Sequence, residues 1–524
     1  MNSSKYSNLI SAVVSGVLLW AAWPTSPLTF LIFIAWLPLL FIAERVTDWK
    51  KFLGYQFLTL LTWNVLTTWW VANSTLIGGI MAFLVNSILM SIPWMVYFFT
   101  RKRFNTFWST VAFISYWITF EYLHQNWDLS WPWLTLGTAF ATHPTWVQWY
   151  EYTGTTGGTL WVLVANLIMF NAFRLYRIEG RSTHYFKNIL AFILVLCFPI
   201  FLSWLVSKKS LTVAHNKYNV VVVQPNIDPW DVKFEAGKEE AQIHKMIALS
   251  ESQLDAQTAL IVWPETAIPF SVDESRMKED FRLHPVFSFL RTHPQANLVT
   301  GLVGYNTFAS KISIYARPFP DGSGYFETYN SAALMDSSKI SFYHKSRLVP
   351  GVESLPRFLN FMAPLFEKFG GTTSTYARND EAKDLATTNN SFVIAPAICY
   401  ESVFGEYVSN FSKLNADLIC IMTNDGWWKD TQGYKQHMSY ARLRAVENRK
   451  WVARSANTGI SCFIDPYGNV VQQLGWDKEG ALKQEVAAFT GKTFFAKHGD
   501  ILSKLFSVLT VVFVGIAIFK RLKK

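Results

Sequence analysis

A chain of 524 residues in which 51% are hydrophobic and only 16% charged is too long for one ordinary domain, so two regions are expected. The net charge of +10 does not point to nucleic acid, because the basic residues punctuate apolar runs instead of sharing one soluble face. The four cysteines, at 197, 399, 420 and 462, leave an odd three outside the apolar runs, give no disulfide framework and show no metal-ligand spacing.

Crossing a bilayer takes about 20 apolar residues. Runs of that length are placed near 7–24, 27–44, 52–72, 77–100, 104–123, 158–176 and 188–206, with an eighth at 501–519. The first lacks a small-residue cleavage site before the next run, so it reads as a retained span and not as a cleaved signal. Lys and Arg follow spans two (Arg45, Lys50, Lys51), four (Arg101, Lys102, Arg103) and six (Arg174 to Lys187), and are missing after spans one, three and five. The positive-inside rule then puts both termini in the cytoplasm and the segment 208–500 on the opposite side, the periplasm of a bacterium, with the chain in its inner membrane. The boundaries expected are 1–207, 208–500 and 501–524. The loop after span five, with Trp127, Trp131, Trp133, Trp146 and Trp149, suits the headgroup layer, as an interfacial anchor or a lipid-entry surface.

From 208 onward the texture changes to short apolar β runs that end in polar residues: Asn219 to Val223, Leu260 to Trp263, Leu298 to Gly304, Phe392 to Ile398 and Leu418 to Met422. Helical stretches intervene, notably 235–256 and 433–450, and Asp465-Pro466-Tyr467-Gly468 reads as a hairpin turn. This alternation describes a layered α/β domain with its site along one sheet edge.

Three strand ends carry chemistry. Glu265, after Trp263-Pro264, is a carboxylate whose partial burial raises its pKa and makes it a proton acceptor near neutral pH. Lys345, in Tyr343-His344-Lys345, offers a positive charge. Cys399, in Ile398-Cys399-Tyr400-Glu401, places a sulfur at a turn whose backbone N–H groups can face an oxyanion. Taken singly, such residues are ordinarily a solvated loop carboxylate, a surface lysine and a packed thiol. Together they supply an activated thiolate with a base and a cation beside it.

That Glu, Lys, Cys order resembles the nitrilase superfamily. With seven apolar spans before it and one after, the whole chain is similar to the apolipoprotein N-acyltransferase family. The resemblance rests on Tyr152-Thr153-Gly154 to Trp161, Trp263 to Ala267, Lys345 to Glu353, Ile398 to Glu401, Asn424-Asp425 to Trp427, and Asn457-Thr458-Gly459. It implies a membrane α-helical bundle joined to an α-β-β-α sandwich, with Glu265 as base, Lys345 as stabiliser of the tetrahedral intermediate and Cys399 as nucleophile. It also implies supporting roles for Glu353, Tyr400 and Glu401. Glu353 then orients Lys345, or pairs with Arg347; Tyr400 offers its backbone N–H while its ring packs; Glu401 supports the turn or touches substrate. The family's substrate-loop tryptophan has two counterparts, Phe234 by its preceding lysine and Trp230 four residues earlier. Asn424 and Trp427 fall where the family has a mobile lid, with core packing as the other reading of Trp427.

The implied reaction moves an acyl chain from a phospholipid, through a cysteine thioester, to the α-amino group of a diacylglyceryl-modified N-terminal cysteine of an apolipoprotein. Membrane lipids are the surroundings, and no metal, cofactor or nucleic acid is called for. The competing readings are a membrane-tethered amidase that releases acid to water, and a non-catalytic lipid-binding export component.

Overall fold

The structure is a computed structural model that describes residues 2–209, 217–233, 235–354, 376–379 and 381–523. It divides into two compact units, one formed by Met1–Ala72, Leu76–Lys209 and Asp500–Lys524, the other by Asn73–Thr75 and Ser210–Gly499.

The first unit is helical: α1 (Asn2–Ala21), α2 (Leu37–Arg45), α3 (Trp49–Thr68), α4 (Leu76–Thr100), α5 (Thr106–Gln125), α6 (Tyr150–Glu179), α7 (Thr183–Ser207) and a C-terminal helix, Ile501–Leu522. Among the described residues, four stretches are long and apolar enough to cross a membrane: Leu76–Arg103, Tyr150–Glu179, Thr183–Ser207 and Ile501–Leu522. The expected span at 27–44 is not one helix. A 3-10 turn at Thr29–Phe33 precedes the nine-residue α2, which starts afresh with Pro38 in its first turn, where a residue lacking an N–H does no harm. Asp48 then caps α3 by accepting from the N–H groups of Lys50 and Lys51.

Tryptophan dominates the interior of this unit. Trp36 meets Trp63, Trp94 and Trp117 with ring centroids 5.8, 5.3 and 5.1 Å apart, in tilted and edge-on arrangements that suit aromatic quadrupoles. The aromatic loop after α5 packs largely inward. Trp133 and Trp149 are buried, Trp133 stacks against Trp131 and also meets Trp70, and only Trp127 is well exposed. Glu121 explains the inward turn: its carboxylate accepts from Trp117 Nε1 (2.9 Å), Thr159 Oγ1 (2.7 Å) and the N–H of Leu136 (2.8 Å), which ties the loop to α5 and α6.

The second unit is built on two sheets. The first comprises β1 (Lys217–Gln224), β2 (Thr258–Val262), β3 (Ser271–Asp273), β4 (Asn297–Phe308), β5 (Arg317–Pro318), β6 (Tyr325–Met335), β7 (Ile340–His344) and, from the end of the unit, Gly480–Ala487. Its order runs from Gly480–Ala487 through β1, β2, β4 and β6 to β5, with β3 on β4 and β7 on β6. The second sheet contains β8 (Leu385–Ala386), β9 (Val393–Ile398), β10 (Leu418–Thr423), β11 (Trp451–Ala456), β12 (Ser461–Ile464) and β13 (Val470–Leu474), lying in reverse sequence order. The central pairs β1/β2, β2/β4, β9/β10 and β10/β11 are parallel, and β1, β2 and β10 read as nearly continuous apolar runs because both faces are covered.

Helices Glu239–Glu251 and His284–Thr292 cover the first sheet, closing a core of Ile243, Met246, Val286 and Phe287 over Val221, Ile261 and Leu298. Helices Gly405–Leu414 and Gln432–Asn448 flank the second. Polar bonds join the sheets: Ser455 Oγ donates to the Val223 carbonyl (2.7 Å), and Gln224 Oε1 accepts from the Ser461 N–H (2.9 Å). The result is an α-β-β-α sandwich, and the turn at 465–468 links β12 to β13 as expected. The β runs fall on β1, β2, β4, β9 and β10, and the helical stretches shorten to Glu239–Glu251 and Gln432–Asn448.

Candidate active site

Each of the three chemistry-bearing residues leaves a strand end of this unit. Glu265 follows β2 by three residues. Its backbone lies against β4 at Gly301, where a Cβ would come within 2.6 Å of the Glu265 Cα; only a glycine permits that approach. The Gly301 N–H donates to the Pro264 carbonyl (3.1 Å) and the Gly301 carbonyl accepts from Ile268 (3.2 Å). Lys345 is the residue after β7, and its N–H donates to the Asn330 carbonyl of β6 (2.9 Å). Cys399 is the residue after β9, at φ +50, a left-handed conformation that costs a non-glycine residue about 1–3 kcal/mol. That conformation turns the chain sharply from strand into the 3-10 turn Cys399–Val403.

Glu265, Lys345 and Glu353 form one buried ionic cluster. Lys345 Nζ donates to Glu265 Oε1 at 3.1 Å and to Glu353 Oε1 at 2.8 Å. Asn330 Nδ2 donates to the same two oxygens, each at 2.8 Å. Glu353 Oε2 accepts from the Val349 N–H at 2.8 Å, while Glu265 Oε2 has no partner among the described residues. Glu353 therefore lies on Lys345 and not on Arg347, whose guanidinium sits 5.2 Å from the Tyr407 ring centroid. Glu265, Asn330 and Glu353 line a cavity of about 390 Å³ together with Arg317, Tyr376 and Trp427.

Electrostatics separate the roles. The raised pKa expected for Glu265 is overturned: burial pushes the carboxyl up, but Lys345, Asn330 and Lys233 outweigh it and hold the group below the usual glutamate range, so it stays ionised. Burial works against the Lys345 charge too, and the carboxylates of Glu265 and Glu353 reverse the effect, keeping the ammonium protonated. The Cys399 thiol is pushed well up, first by burial and then by the Glu265 charge, against a smaller pull from Lys345. The resting sulfur carries its proton, with an ionised carboxylate beside it.

The supporting residues divide. Glu401 is fully buried and holds the turn. Its Oε1 accepts from Tyr343 Oη (2.6 Å) and the Ser346 N–H (2.7 Å), and its Oε2 from the Ile398 N–H (2.8 Å), so it fastens β7 and β9 together. Burial raises its carboxyl to about 7. The Tyr400 ring packs edge-on against Phe404 at 5.1 Å. Trp230 and Trp427 meet edge-on with centroids 5.0 Å apart, and Trp230 is 47% exposed. Asn424 is buried beneath them, accepting from Asn457 Nδ2, which also donates to the Ile227 carbonyl at the base of the Trp230 loop. Phe234 lies outside the described residues.

Several residues at this site carry no sequence signal of their own. Asn330, the bridge between both carboxylates, shows only as a poor strand former inside a buried strand. Lys233 is buried and donates to the Glu265 carbonyl at 3.0 Å; burial lowers its pKa to about 8. Behind Cys399, Asp425 accepts from Arg454 (2.7 Å) and lies 2.9 Å from His437 Nδ1. His437 Nε2 reaches the Cys399 carbonyl (3.2 Å) and Ser402 Oγ (2.8 Å).

Residues 219–492, more than half of the chain, match the carbon-nitrogen hydrolase family. The chain belongs to that family. Residues 15–168 match the apolipoprotein N-acyltransferase N-terminal domain, so the carbon-nitrogen hydrolase unit is joined here to a second family's helical region. Full-length relatives combine both. Apolipoprotein N-acyltransferase of Chlorobaculum tepidum is 28% identical over 507 residues, covering 94% of this chain and 92% of the relative. The proteins of that name from Geobacter metallireducens and Pasteurella multocida are 26% and 27% identical, over 94% and 92% of this chain and 92% and 90% of theirs.

Proposed function

We infer that this chain is an apolipoprotein N-acyltransferase: a membrane-embedded acyltransferase that works through a cysteine thioester. The observation that carries the reading is the ionised Glu265 sharing Lys345 with Glu353 beside a protonated, buried Cys399. In the first step Glu265 takes the thiol proton as sulfur attacks the ester carbonyl of a phospholipid acyl chain. Lys345 and the Tyr400 backbone N–H hold the oxyanion, and the tetrahedral intermediate collapses to a thioester as the lysophospholipid alkoxide leaves with the proton from Glu265. In the second step the α-amino group of a diacylglyceryl-modified N-terminal cysteine attacks the thioester. Glu265 takes the amine proton and returns it to the departing sulfur. Protons and electrons balance in each half without an external reagent.

Trp230 and Trp427 form a lid over the cavity in this reading, opening between two lipid substrates of very different size. The pattern of basic loops supports the bacterial inner membrane, with both termini cytoplasmic and residues 208–500 in the periplasm. A reporter fused near Asp255 then signals periplasm and one fused after Lys524 signals cytoplasm; opposite signals invert the orientation.

The decisive experiment incubates the purified protein with acyl-labelled phospholipid. Label held on Cys399 and released by hydroxylamine is expected. Adding a peptide that begins with diacylglyceryl-cysteine should move the label to its amine as a hydroxylamine-resistant amide. Release of free fatty acid regardless of acceptor would favour a hydrolase, and transfer surviving Cys399→Ala would leave the sandwich a docking module.

A further inference from the structure

The cavity beside Glu265 contains one cation that the acyl-transfer steps do not use. Arg317 stands on β5 at the sheet edge, opposite Phe326 of β6, and its guanidinium lies 4.9 Å from the centroid of the Phe326 ring. One terminal nitrogen donates to Thr328 Oγ1 at 2.7 Å; its Nε is buried and unpartnered, and no carboxylate among the described residues pairs with it. Arg317 lines the same cavity as Glu265 and Glu353. A planar guanidinium held by a ring face and one hydroxyl, with donors to spare, is arranged to receive an oxyanion in a forked grip.

Position sharpens the chemistry. Thr328 and Asn330 are two residues apart on β6 and share one face, a separation of about 6.6 Å along the strand. Asn330 marks the Glu265–Lys345 end, where the ester carbonyl must sit; Thr328 marks the Arg317 end. A glycerophospholipid carries its phosphate a few bonds from its ester carbonyl, a matching reach. The acceptor implied above, a diacylglyceryl thioether, has no phosphate. The cavity wall, dominated by Glu265 and Glu353, would otherwise repel an anionic headgroup.

We propose that Arg317 is the binding residue for the phosphodiester of the phospholipid acyl donor, and so selects the substrate of the first half-reaction. The proposal rests on the acyltransferase reading, and its test keeps the two apart. Acyl-enzyme formation is measured with a phospholipid and with the diacylglycerol bearing the same acyl chains, in wild type, Arg317→Met and Arg317→Lys. The Met variant should lose about 10- to 100-fold in kcat/KM with phospholipid, as expected for a lost charge-assisted contact, and change little with diacylglycerol. The Lys variant should recover part of the loss. Transfer from preformed thioester to the acceptor amine should be unchanged.

Glycerophosphoethanolamine should inhibit wild type and not the Met variant, whereas inorganic phosphate at the same concentration should inhibit wild type only weakly. Equal losses with both donors would assign Arg317 a purely structural task and overturn the proposal, as would undiminished use of phospholipid. Equal inhibition by the two anions would make it a general anion site and overturn the donor assignment. If wild-type protein forms a thioester with neither donor, the acyltransferase reading itself falls.

Discussion

Two buried ionic clusters meet at Cys399, and they are built to opposite ends. The cluster of Glu265, Lys345, Glu353 and Asn330, carried by the first sheet, opens on a cavity; its side chains keep 9%, 1% and 11% exposure for Glu265, Lys345 and Glu353. The cluster of Asp425, His437 and Arg454, carried by the second sheet and its helix, is sealed at 0% and ends on the nucleophile's own carbonyl. In the first, both donors to Glu265 among the described residues share Oε1. In the second, Asp425 uses both oxygens: Oδ1 faces Thr423 and His437 while Oδ2 takes Arg454. In the acyltransferase reading the open cluster serves chemistry and the closed one position, and each makes a separate demand on mutation.

The largest effect should come from emptying the open cluster. Glu265→Gln keeps the shape and removes the proton acceptor, so thioester formation should fall about 10²- to 10⁴-fold, read by single-turnover labelling, with the unfolding temperature almost unchanged. Cys399→Ser should be inactive by the same assay, since a hydroxyl is far less ionised beside the same base. A normal rate in the glutamine variant would show that the division between the clusters is wrong.

The closed cluster should respond in stability. Asp425→Asn leaves the Arg454 charge buried without its partner, a loss of about 3–5 kcal/mol by denaturant unfolding. Burial pushes Asp425 up, yet Arg454 and His437 hold it at about 2 against an ordinary 3.8. Its folded pKa is depressed, so its contribution is present above about pH 4 and is lost as pH falls toward 2. The asparagine variant should therefore lose less stability than wild type across that window. An identical acid slope in both would remove Asp425 as the cause.

A smaller effect should follow from Asn330→Ala. One donor that lowers the Glu265 pKa is gone, so that pKa rises and the acid limb of the acylation rate should move to higher pH, with fold stability less affected. An unmoved limb would place the titrating group elsewhere. The smallest should be Trp427→Ala, which removes half of the aromatic lid pair: substrate handling should suffer more than unfolding temperature, with the amine-dependent step at least as sensitive as acylation. Lost stability with unchanged turnover per folded molecule would make the ring core instead.

The strand ends before Glu265 and at Ile398 were legible in the sequence because the apolar runs Leu260 to Trp263 and Phe392 to Ile398 stop there, and a run of that kind has few other ways to be buried. The closed cluster was not. His437 sits 38 residues from the carbonyl it reaches, Asn330 65 from Glu265, and Lys233 32 from it; nothing local announces a partner that only the tertiary fold supplies. The pKa of Glu265 was misjudged for the same reason, since Lys345, Asn330 and Lys233 outweigh its burial and none of them is its neighbour in sequence. In the helical unit, hydropathy alone merged the 3-10 turn at Thr29–Phe33 with α2, and aromatic content alone could not distinguish a loop at the membrane surface from one folded inward on Glu121.

The proton on Cys399 has a chemical consequence beyond the transfer itself. Peroxide and disulfides react with thiolates, and a buried, protonated sulfur offers them neither charge nor access. In the acyltransferase reading, the sulfur becomes reactive only as Glu265 removes its proton along the path of attack. The same burial that withholds the thiolate also shields the sulfur between turnovers.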